Sequence, residues 1–251
     1  MTEHNKVEDV RPYEKAEDAA RAKHVQVRRM FDNIAPAYDV MNRLMTMGID
    51  RRWRRMTVRC ATQGTPRAVL DLATGTGDLA IALAKAAPQA KVTGADLSEG
   101  MVAVGRRKVT EAGLDGRVTL ITADALKLPF DDNSFDVVTV AFGVRNFENL
   151  LQGYREMLRV LRPGGRLCVL ELTPPASAMI KPFYNFYTRC VIPLVGRLLS
   201  GDREAYTYLP RSIAAVPARK QMTDLMTQAG FADTSFRQFT LGVCTLYTAV
   251  K

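Results

Sequence analysis

Histidine is scarce in this chain. Its 251 residues include only two histidines, His4 and His24, both in a polar N-terminal stretch. Imidazole is the side chain most often used for proton transfer and a frequent metal ligand. The composition therefore disfavours histidine catalysis, and we predict no metal site.

Cysteines are few and widely separated. They stand at positions 60, 168, 190 and 244, so consecutive cysteines lie at least 22 residues apart. This spacing excludes a C-x-x-C redox pair and a cysteine zinc knuckle, and it gives no reason to propose a disulfide framework. A reducing, cytoplasmic compartment is the expectation.

Long apolar runs are missing as well. The longest one, residues 183–199, spans 17 residues and contains two arginines, whereas a bilayer-crossing helix needs about 20 predominantly apolar residues. Residues 1–30 also lack the apolar run of a signal peptide. The net charge of +9 predicts attraction to an anionic partner, and it leaves nucleic acid, a lipid surface and a phosphorylated substrate open.

Apolar periodicity divides the chain into three parts. Residues 1–27 lack it and predict a flexible arm, whereas residues 28–65 predict a basic helical cap with breaks at Pro36 and Gly48. In residues 66–251, short β-rich runs alternate with helical windows. The predicted strands are 68–72, 92–96, 118–123, 135–140 and 166–172, and the predicted helices between them are 79–87, 99–112 and 147–161.

Such alternation predicts an α/β fold with a doubly wound, Rossmann-like sheet that binds ligands at the carboxyl ends of its strands. Residues 218–229 predict a helix that Gly230 caps. Residues 236–240 and 243–250 predict a closing antiparallel pair, which brings the sheet to seven strands. Residues 174–216, rich in proline and aromatic side chains, interrupt the pattern after strand five and predict a helical insertion that forms a lid or tail channel.

A glycine turn after the first strand is the strongest local signal. Residues 69–79 read VLDLATGTGDL, in which Gly75 and Gly77 let the backbone turn sharply and approach a ligand. With Ala80 the run also satisfies G-x-G-x-x-A, so taken alone it is compatible with a dinucleotide site.

Carboxylates follow three successive strands. Asp96 is placed to accept hydrogen bonds from both ribose hydroxyls of a nucleoside, Asp124 to meet an adenine amino group and Asp71 to face an ammonium. Negative charge at all three positions repels a pyrophosphate but attracts a sulfonium with an α-ammonium. The pattern favours S-adenosylmethionine over NAD, although each aspartate alone is equally explained as a turn former or helix cap.

Taken together, these features resemble class I S-adenosylmethionine-dependent methyltransferases, the resemblance resting on the glycine loop, Asp96, Asp124-Ala125 and the RPGG sequence at 162–165. Four segments narrow it: 31–39 (FDNIAPAYD), 47–54 (MGIDRRWR), 128–130 (LPF) and 142–146 (FGVRN). They are similar to the menaquinone/ubiquinone-biosynthesis C-methyltransferase family, which methylates a ring carbon of a polyprenylated quinol. The resemblance covers the chain from about residue 28 to its end.

This resemblance implies S-adenosylmethionine as cofactor and demethylmenaquinol as substrate, with a methoxybenzoquinol of ubiquinone biosynthesis or another small molecule as alternatives. Ala141 stands where relatives often have serine. The expected cofactor-binding residues are Asp71, Gly75, Thr76, Gly77, Asp96, Leu97, Asp124, Ala125 and Ala141.

Arg145, Asn146 and Tyr38 are the catalytic candidates. Arg145 is too basic to accept a proton, but its charge would lower the pKa of a neighbouring quinol hydroxyl, which is about 10 for an ordinary phenol. Asn146 is placed to orient a ring oxygen or a water, and Tyr38 to bond the other ring oxygen. The simpler alternative makes Arg145 a surface residue and Asn146 the N-cap of the next helix. The proton acceptor stays open among Asp39, Asp71 and a water.

Arginines 51, 52, 54 and 55 surround Trp53, and this run predicts either a membrane-attracting surface or a solvated helix face. We expect transient association with the inner face of the cytoplasmic membrane, and the resemblance and the aromatic insertion suggest a homodimer. No nucleic-acid partner is expected, because the turn after strand four lacks an Asn/Asp-Pro-Pro-aromatic sequence. Besides a nucleic-acid methyltransferase, the rival functions are a dehydrogenase that uses Tyr247 and Lys251 as a Tyr-x-x-x-Lys pair, and a non-enzymatic lipid-binding protein.

Overall fold

A seven-stranded mixed sheet forms the centre of the protein, with the strand order β3-β2-β1-β4-β5-β7-β6. The computed structural model describes residues 10–13, 22–175, 177, 179–187 and 203–251. Strands β1 to β5 run parallel, and β7 is antiparallel to both β5 and β6. The strands are β1 (Ala68–Leu72), β2 (Lys91–Asp96), β3 (Val118–Thr122), β4 (Phe135–Ala141), β5 (Leu161–Leu172), β6 (Ala232–Phe239) and β7 (Cys244–Val250).

Helices pack on both faces of this sheet, which confirms the predicted doubly wound α/β fold. Side chains of β1 point alternately to the two faces of the sheet. Leu70 and Leu72 contribute to the apolar core on one face and Val69 to the core on the other, so both faces must be covered by helices. The helices are α1 (Lys23–Ile34), α2 (Tyr38–Met45), α3 (Asp50–Ala61), α4 (Asp78–Ala86), α5 (Glu99–Glu111), α6 (Leu150–Val160), α7 (Lys181–Phe186), α8 (Arg203–Ala215) and α9 (Lys220–Ala229). No helix in the described part of the chain is long and apolar enough to cross a membrane.

The strand order reverses beside β1, which lies between β2 and β4, and this reversal opens a crevice at the carboxyl edge of the sheet. The backbone there is strained, because Ala73 and Phe142 adopt positive φ angles of 49° and 63°. A side chain at Gly143 would collide with Ala73. The ends of β1 and β4 therefore approach each other closely at this point.

Helix α1 begins at Lys23, earlier than the cap boundary predicted at residue 28. The reason is tertiary, because the Lys23 side chain is buried and its Nζ donates a hydrogen bond to the Phe147 carbonyl (3.1 Å). Breaks at Pro36 and Gly48 are confirmed, since these residues separate α1 from α2 and α2 from α3. The rest of the predicted arm, residues 1–9 and 14–21, lies outside the described residues, as do residues 188–202 of the predicted lid.

Candidate active site

Two adjoining cavities lie at the carboxyl edge of the sheet. The first, here called the edge cavity, has a volume of about 740 Å³ including the part open to solvent. The second, the lid cavity, measures about 1150 Å³ on the same basis and lies between α2, α3, α7 and α8. Tyr38 and Phe142 line both cavities, so the two cavities meet at these side chains.

The glycine loop forms the floor of the edge cavity. Gly75 has a φ of 57°, and a Cβ there would lie 3.6 Å from Cε1 of Tyr38, so the loop and the cap approach each other closely. The Gly75 amide donates a hydrogen bond to Asp96 Oδ2 (2.8 Å). Gly77, also at positive φ, is the N-cap of α4 and does not line the cavity.

Acidic side chains occupy the strand ends of the edge cavity. Asp96 accepts the amides of Gly75 and Ser98 (2.8 and 2.9 Å), and Asp124 accepts the amide of Leu126 (2.9 Å). Burial raises the pKa of Asp96, while the two amides act in the opposite direction. Each carboxylate oxygen has two lone pairs, so both groups keep acceptor capacity toward a ligand. Leu97 and Ala125 line the same cavity, as expected.

Asp71 lies beneath the glycine loop instead of on a cavity wall. Its side chain is 1% exposed, and its oxygens accept the hydroxyls of Thr74 (2.7 Å) and Thr139 (2.6 Å). The position expected to face an ammonium therefore supports the loop from below. The cause is its place inside β1, where the neighbouring strand β4 presents Thr139 to it.

The burial of Asp71 predicts a specific pH dependence of stability. Loss of hydration raises the pKa of this carboxyl from 3.8 to about 6, against the effect of its two threonine partners. Between these pH values the folded chain holds a proton that the unfolded chain has lost, so the free energy of unfolding decreases as pH rises through this window. Asp71→Asn, which does not ionise, should exceed the parent in stability above pH 6, by about 1–3 kcal/mol.

Urea unfolding between pH 4 and pH 8 tests this, and the stability difference should disappear near pH 4. Asp136→Asn is the matched control of opposite sign. Burial acts to raise the pKa of Asp136. The amides of Ala68 and Arg67 and the guanidinium of Arg162 outweigh burial and hold this pKa below its usual value. That variant should therefore be less stable than the parent by a nearly constant amount between pH 4 and pH 8, because Asp136 titrates below this range. A pH-independent difference for Asp71→Asn would contradict the assignment.

Thr76 connects the core to the helical cap. Its hydroxyl donates to Asp39 Oδ1 (2.6 Å), and Lys108 Nζ contacts both Asp39 Oδ2 (2.6 Å) and the Thr76 hydroxyl (3.1 Å). Thr76 and Asp39 line neither the edge cavity nor the lid cavity. Thr76, expected to contact the cofactor, and Asp39, a candidate proton acceptor, are thus engaged in a structural network. Ala141 also lies away from the wall, buried in β4.

Arg145 belongs to a buried ion pair. It is 6% exposed, and its Nη1 donates to Glu171 Oε1 (2.8 Å) and to the Phe142 carbonyl. Burial acts to lower the pKa of Arg145, but the Glu171 carboxylate outweighs burial and raises this pKa above the ordinary value. Arg145 lines the lid cavity and its Nε, also buried, has no hydrogen-bond partner among the described residues. The alternative of a surface arginine is wrong.

Asn146 lines the edge cavity, and its Oδ1 accepts a hydrogen bond from the Tyr208 hydroxyl of α8 (3.1 Å). It is not the N-cap of α6. Asn149 has that role, because its side chain accepts the Gln152 amide (2.8 Å). Asn146 is therefore positioned by the insertion after strand five.

Several residues of the site were not expected from the sequence. His24, assigned to the arm, lies on the edge cavity with its Nδ1 2.8 Å from Glu148 Oε2. The arginine run divides, since Arg54 lines the lid cavity while the other three arginines are exposed. The Arg54 guanidinium lies 5.0 Å from the ring centroid of Phe142, and Trp53 packs edge-on against the same ring.

Solved structures share this fold. A SAM-dependent methyltransferase from Thermotoga maritima, described as a possible histamine N-methyltransferase, superposes with a TM-score of 0.64 at 19% identity, covering 89% of this chain and 99% of that one. The cyclase SpnF superposes with a TM-score of 0.69 at 20% identity, covering 91% and 96%. Identities this low show the fold alone, and these two proteins are described with different chemistries.

Sequence relatives are much more similar. A demethylmenaquinone methyltransferase from Porphyromonas gingivalis is 49% identical over 97% of this chain and 98% of its own length. A ubiquinone/menaquinone biosynthesis C-methyltransferase UbiE from Geobacter sulfurreducens is 46% identical over 90% and 88%. The profile of the ubiE/COQ5 methyltransferase family matches residues 19–251. This chain belongs to the ubiE/COQ5 methyltransferase family.

Proposed function

We propose that this chain transfers a methyl group from S-adenosylmethionine to a ring carbon of a polyprenylated quinol, with demethylmenaquinol as the acceptor. One observation carries the proposal most: an acidic cavity at the strand ends and a largely apolar cavity under the lid share a wall at Tyr38 and Phe142. A cationic donor and an apolar acceptor would meet there. The names of the similar sequences support the choice of quinol.

The edge cavity fits the proposed cofactor. Three carboxylates, those of Asp96, Asp124 and Glu148, line it together with the guanidinium of Arg28, so acidic groups predominate. A nucleoside with a cationic sulfonium tail complements such a cavity better than a pyrophosphate does. When bound, S-adenosylmethionine supplies an electrophilic methyl group; Asp96 would hold its ribose and Asp124 its adenine.

The lid cavity fits a quinol head group. Aliphatic and aromatic side chains dominate its wall, among them Met45, Leu172 and Ile213. In the net reaction a ring C–C bond forms, the sulfur–methyl bond breaks with its electron pair on sulfur, and the ring hydrogen leaves as a proton. The Arg145 guanidinium on this wall would stabilise the quinolate that precedes bond formation, because burial strengthens its field.

The dehydrogenase alternative finds no support in the described residues. Tyr247 is fully buried in β7, where its hydroxyl accepts the Arg219 amide (2.8 Å). Lys251 Nζ donates to the Leu161 carbonyl (2.7 Å) and to Asn133 Oδ1 (2.8 Å). The two residues therefore do not form a Tyr–Lys pair on a ligand site.

The prenyl tail gives a reason for contact with a membrane. Val40 and Leu44, one helical turn apart on α2, are 54% and 50% exposed, and Met47 is 76% exposed where it borders the lid cavity. Exposed apolar side chains beside arginines suit weak, reversible attachment to an anionic surface. Peripheral membrane association therefore belongs to the proposal, whereas the homodimer remains a prediction from the sequence.

A product assay tests the proposal. The protein would be incubated with methyl-labelled S-adenosylmethionine and, separately, with short-chain demethylmenaquinol and a methoxybenzoquinol, each kept reduced. We expect label in the naphthoquinone. Label in the benzoquinone alone would contradict the menaquinone assignment. Cofactor binding without label in either quinone would contradict the acceptor class.

A further inference from the structure

We propose that Asp50 is the group that accepts the proton of the quinol hydroxyl, and that Arg54 and Thr46 position it. This inference rests on the proposed function and adds the proton acceptor to it. Asp50 is the first residue of α3, and its side chain is nearly buried, with the residue 4% exposed. Among the described residues that line the lid cavity, it is the only carboxylate.

Other carboxylates near the site are already engaged. Glu171 is fully buried and accepts the Arg145 amide and guanidinium together with the Leu172 amide. Asp71 is enclosed by two threonine hydroxyls, and Asp39 is paired with Lys108. None of the three borders the lid cavity.

Asp50 and Arg54 lie side by side on the wall of this cavity. Arg54 Nε lies 3.6 Å from Asp50 Oδ2, which is too far for a hydrogen bond, and this buried Nε has no acceptor in the described part of the chain. A hydroxyl both donates and accepts. A quinol O–H can therefore donate to the Asp50 carboxylate, and the quinol oxygen then lies next to the Arg54 guanidinium.

Thr46 suits a carboxyl group that gains and loses a proton. Its hydroxyl lies within hydrogen-bond distance of Asp50 Oδ1 (2.9 Å) and of the Asn42 carbonyl (2.7 Å), but it has only one proton to donate. When Asp50 is ionised, Thr46 donates to it. When Asp50 carries the proton on Oδ2, Thr46 still donates to Oδ1. Both protonation states are thus hydrogen-bonded.

The proton transfer itself is simple. The O–H bond of the quinol breaks, its electron pair stays on the quinol oxygen, and the proton bonds to Asp50 Oδ2. Arg54 and Arg145 then hold the quinolate between two positive charges on one cavity wall. After methyl transfer, the proton lost from the ring carbon is balanced by one taken up at the ring oxygen, which restores the quinol. Asp50 returns its own proton to water once the product leaves, so one proton is released in all. No oxidant or further reactant is required.

Asp50→Asn is the decisive variant because it keeps the shape of the side chain and removes the base. At pH 7 we expect kcat to fall by about 10²–10⁴-fold, the usual contribution of a positioned base. The loss should shrink as pH rises to 9, since ionisation of the quinol in solution replaces the base. The other titratable groups on the wall are Arg54, Arg145, Tyr38, Tyr184 and Tyr187; burial raises the pKa of Tyr184 to about 12 and also raises that of Tyr187.

Binding is measured separately from chemistry. Trp53 is the only tryptophan of the chain and lines the lid cavity, so its fluorescence reports quinol binding. Quinol affinity and cofactor affinity should change less than about threefold in Asp50→Asn, since an amide still accepts and donates there. Asp224→Asn, which removes an exposed i,i+4 pair with Lys220, is the matched control and should retain full activity.

An Asp50→Asn protein with parental kcat at pH 7 would overturn the proposal. So would an equal loss at pH 7 and pH 9 accompanied by weakened Trp53 quenching, because that pattern indicates a structural role. If Asp50→Asn does not fold, Thr46→Val is the second test. It should lower kcat about tenfold at pH 7, because one hydrogen bond to a charged group is lost. An unchanged kcat would contradict the role of Thr46 in positioning Asp50. A parent protein that binds the quinol without methylating it would instead refute the proposed function.

Discussion

Arg145→Gln should strongly reduce methyl transfer and destabilise the fold, whereas Arg145→Gln combined with Glu171→Gln should restore only the fold. Glu171 is 0% exposed and pairs with Arg145 at 2.8 Å, so the single variant leaves a charge buried without its partner. Breaking a buried pair on one side costs about 3–5 kcal/mol of unfolding free energy. The double variant removes both charges, and we expect it to lie within about 1 kcal/mol of the parent.

Catalysis should not recover in the double variant, because no positive charge replaces Arg145 beside the quinol oxygen. Loss of one preorganised charged donor lowers kcat by about 10²–10³-fold. Urea unfolding and the labelled-product assay measure the two effects independently. Arg106→Gln, which removes an exposed pair with Glu99, is the control and should change stability by less than about 1 kcal/mol. An active double variant would show that Arg145 acts only through stability.

Asp96→Ala should remove most of the cofactor affinity. The variant loses the carboxylate proposed to hold the ribose, and it also leaves the amides of Gly75 and Ser98 without their acceptor. Hydrogen bonds to a charged group contribute about 1.5–3 kcal/mol each. Two such bonds to the ribose correspond to a loss in affinity on the order of 100-fold or more.

Calorimetric titration with S-adenosylhomocysteine measures this affinity without any turnover. Asp115→Ala removes an exposed carboxylate that accepts the Thr110 hydroxyl, and this variant should bind the cofactor product like the parent. Asp96→Asn keeps a side-chain oxygen, so its cofactor affinity should lie between those of Asp96→Ala and the parent. Parental affinity in Asp96→Ala would contradict the assignment of the edge cavity to the cofactor.

The five parallel strands were largely predictable because glycine, aspartate or proline stands at the end of each apolar run or within three residues after it. The exceptions among the seven strands are β5, which begins at Leu161 and not at residue 166, and β6, which begins at Ala232 and not at residue 236. Leu161 pairs with Phe135 across an irregularity in the register, and the sheet continues through the RPGG sequence. From local sequence alone, RPGG predicts a turn, because proline and glycine favour turns. The strand pairing that overrides this preference involves Phe135, which lies far away in the chain.

The rule that ligands bind where parallel strands end predicted Asp96 and Asp124, and both line the edge cavity. Their contact with the cofactor stays a prediction. The same rule misplaced Asp71, whose burial depends on Thr139 of the neighbouring strand. The sequence placed Asp50 and Arg54 on a basic helix but did not predict that either residue borders the active site. Their meeting with the lid cavity depends on how α3 packs against β5, and no local pattern encodes that contact.

The position of the transferred methyl group tests the central claim most directly. The reaction would be run with ¹³C-methyl S-adenosylmethionine and reduced demethylmenaquinone, and the product examined by carbon NMR, which separates a methyl on a ring carbon from a methyl on oxygen. We predict a single labelled methyl on the ring carbon. Label on a hydroxyl oxygen, or an unlabelled quinone recovered from protein that binds the cofactor, would contradict the account.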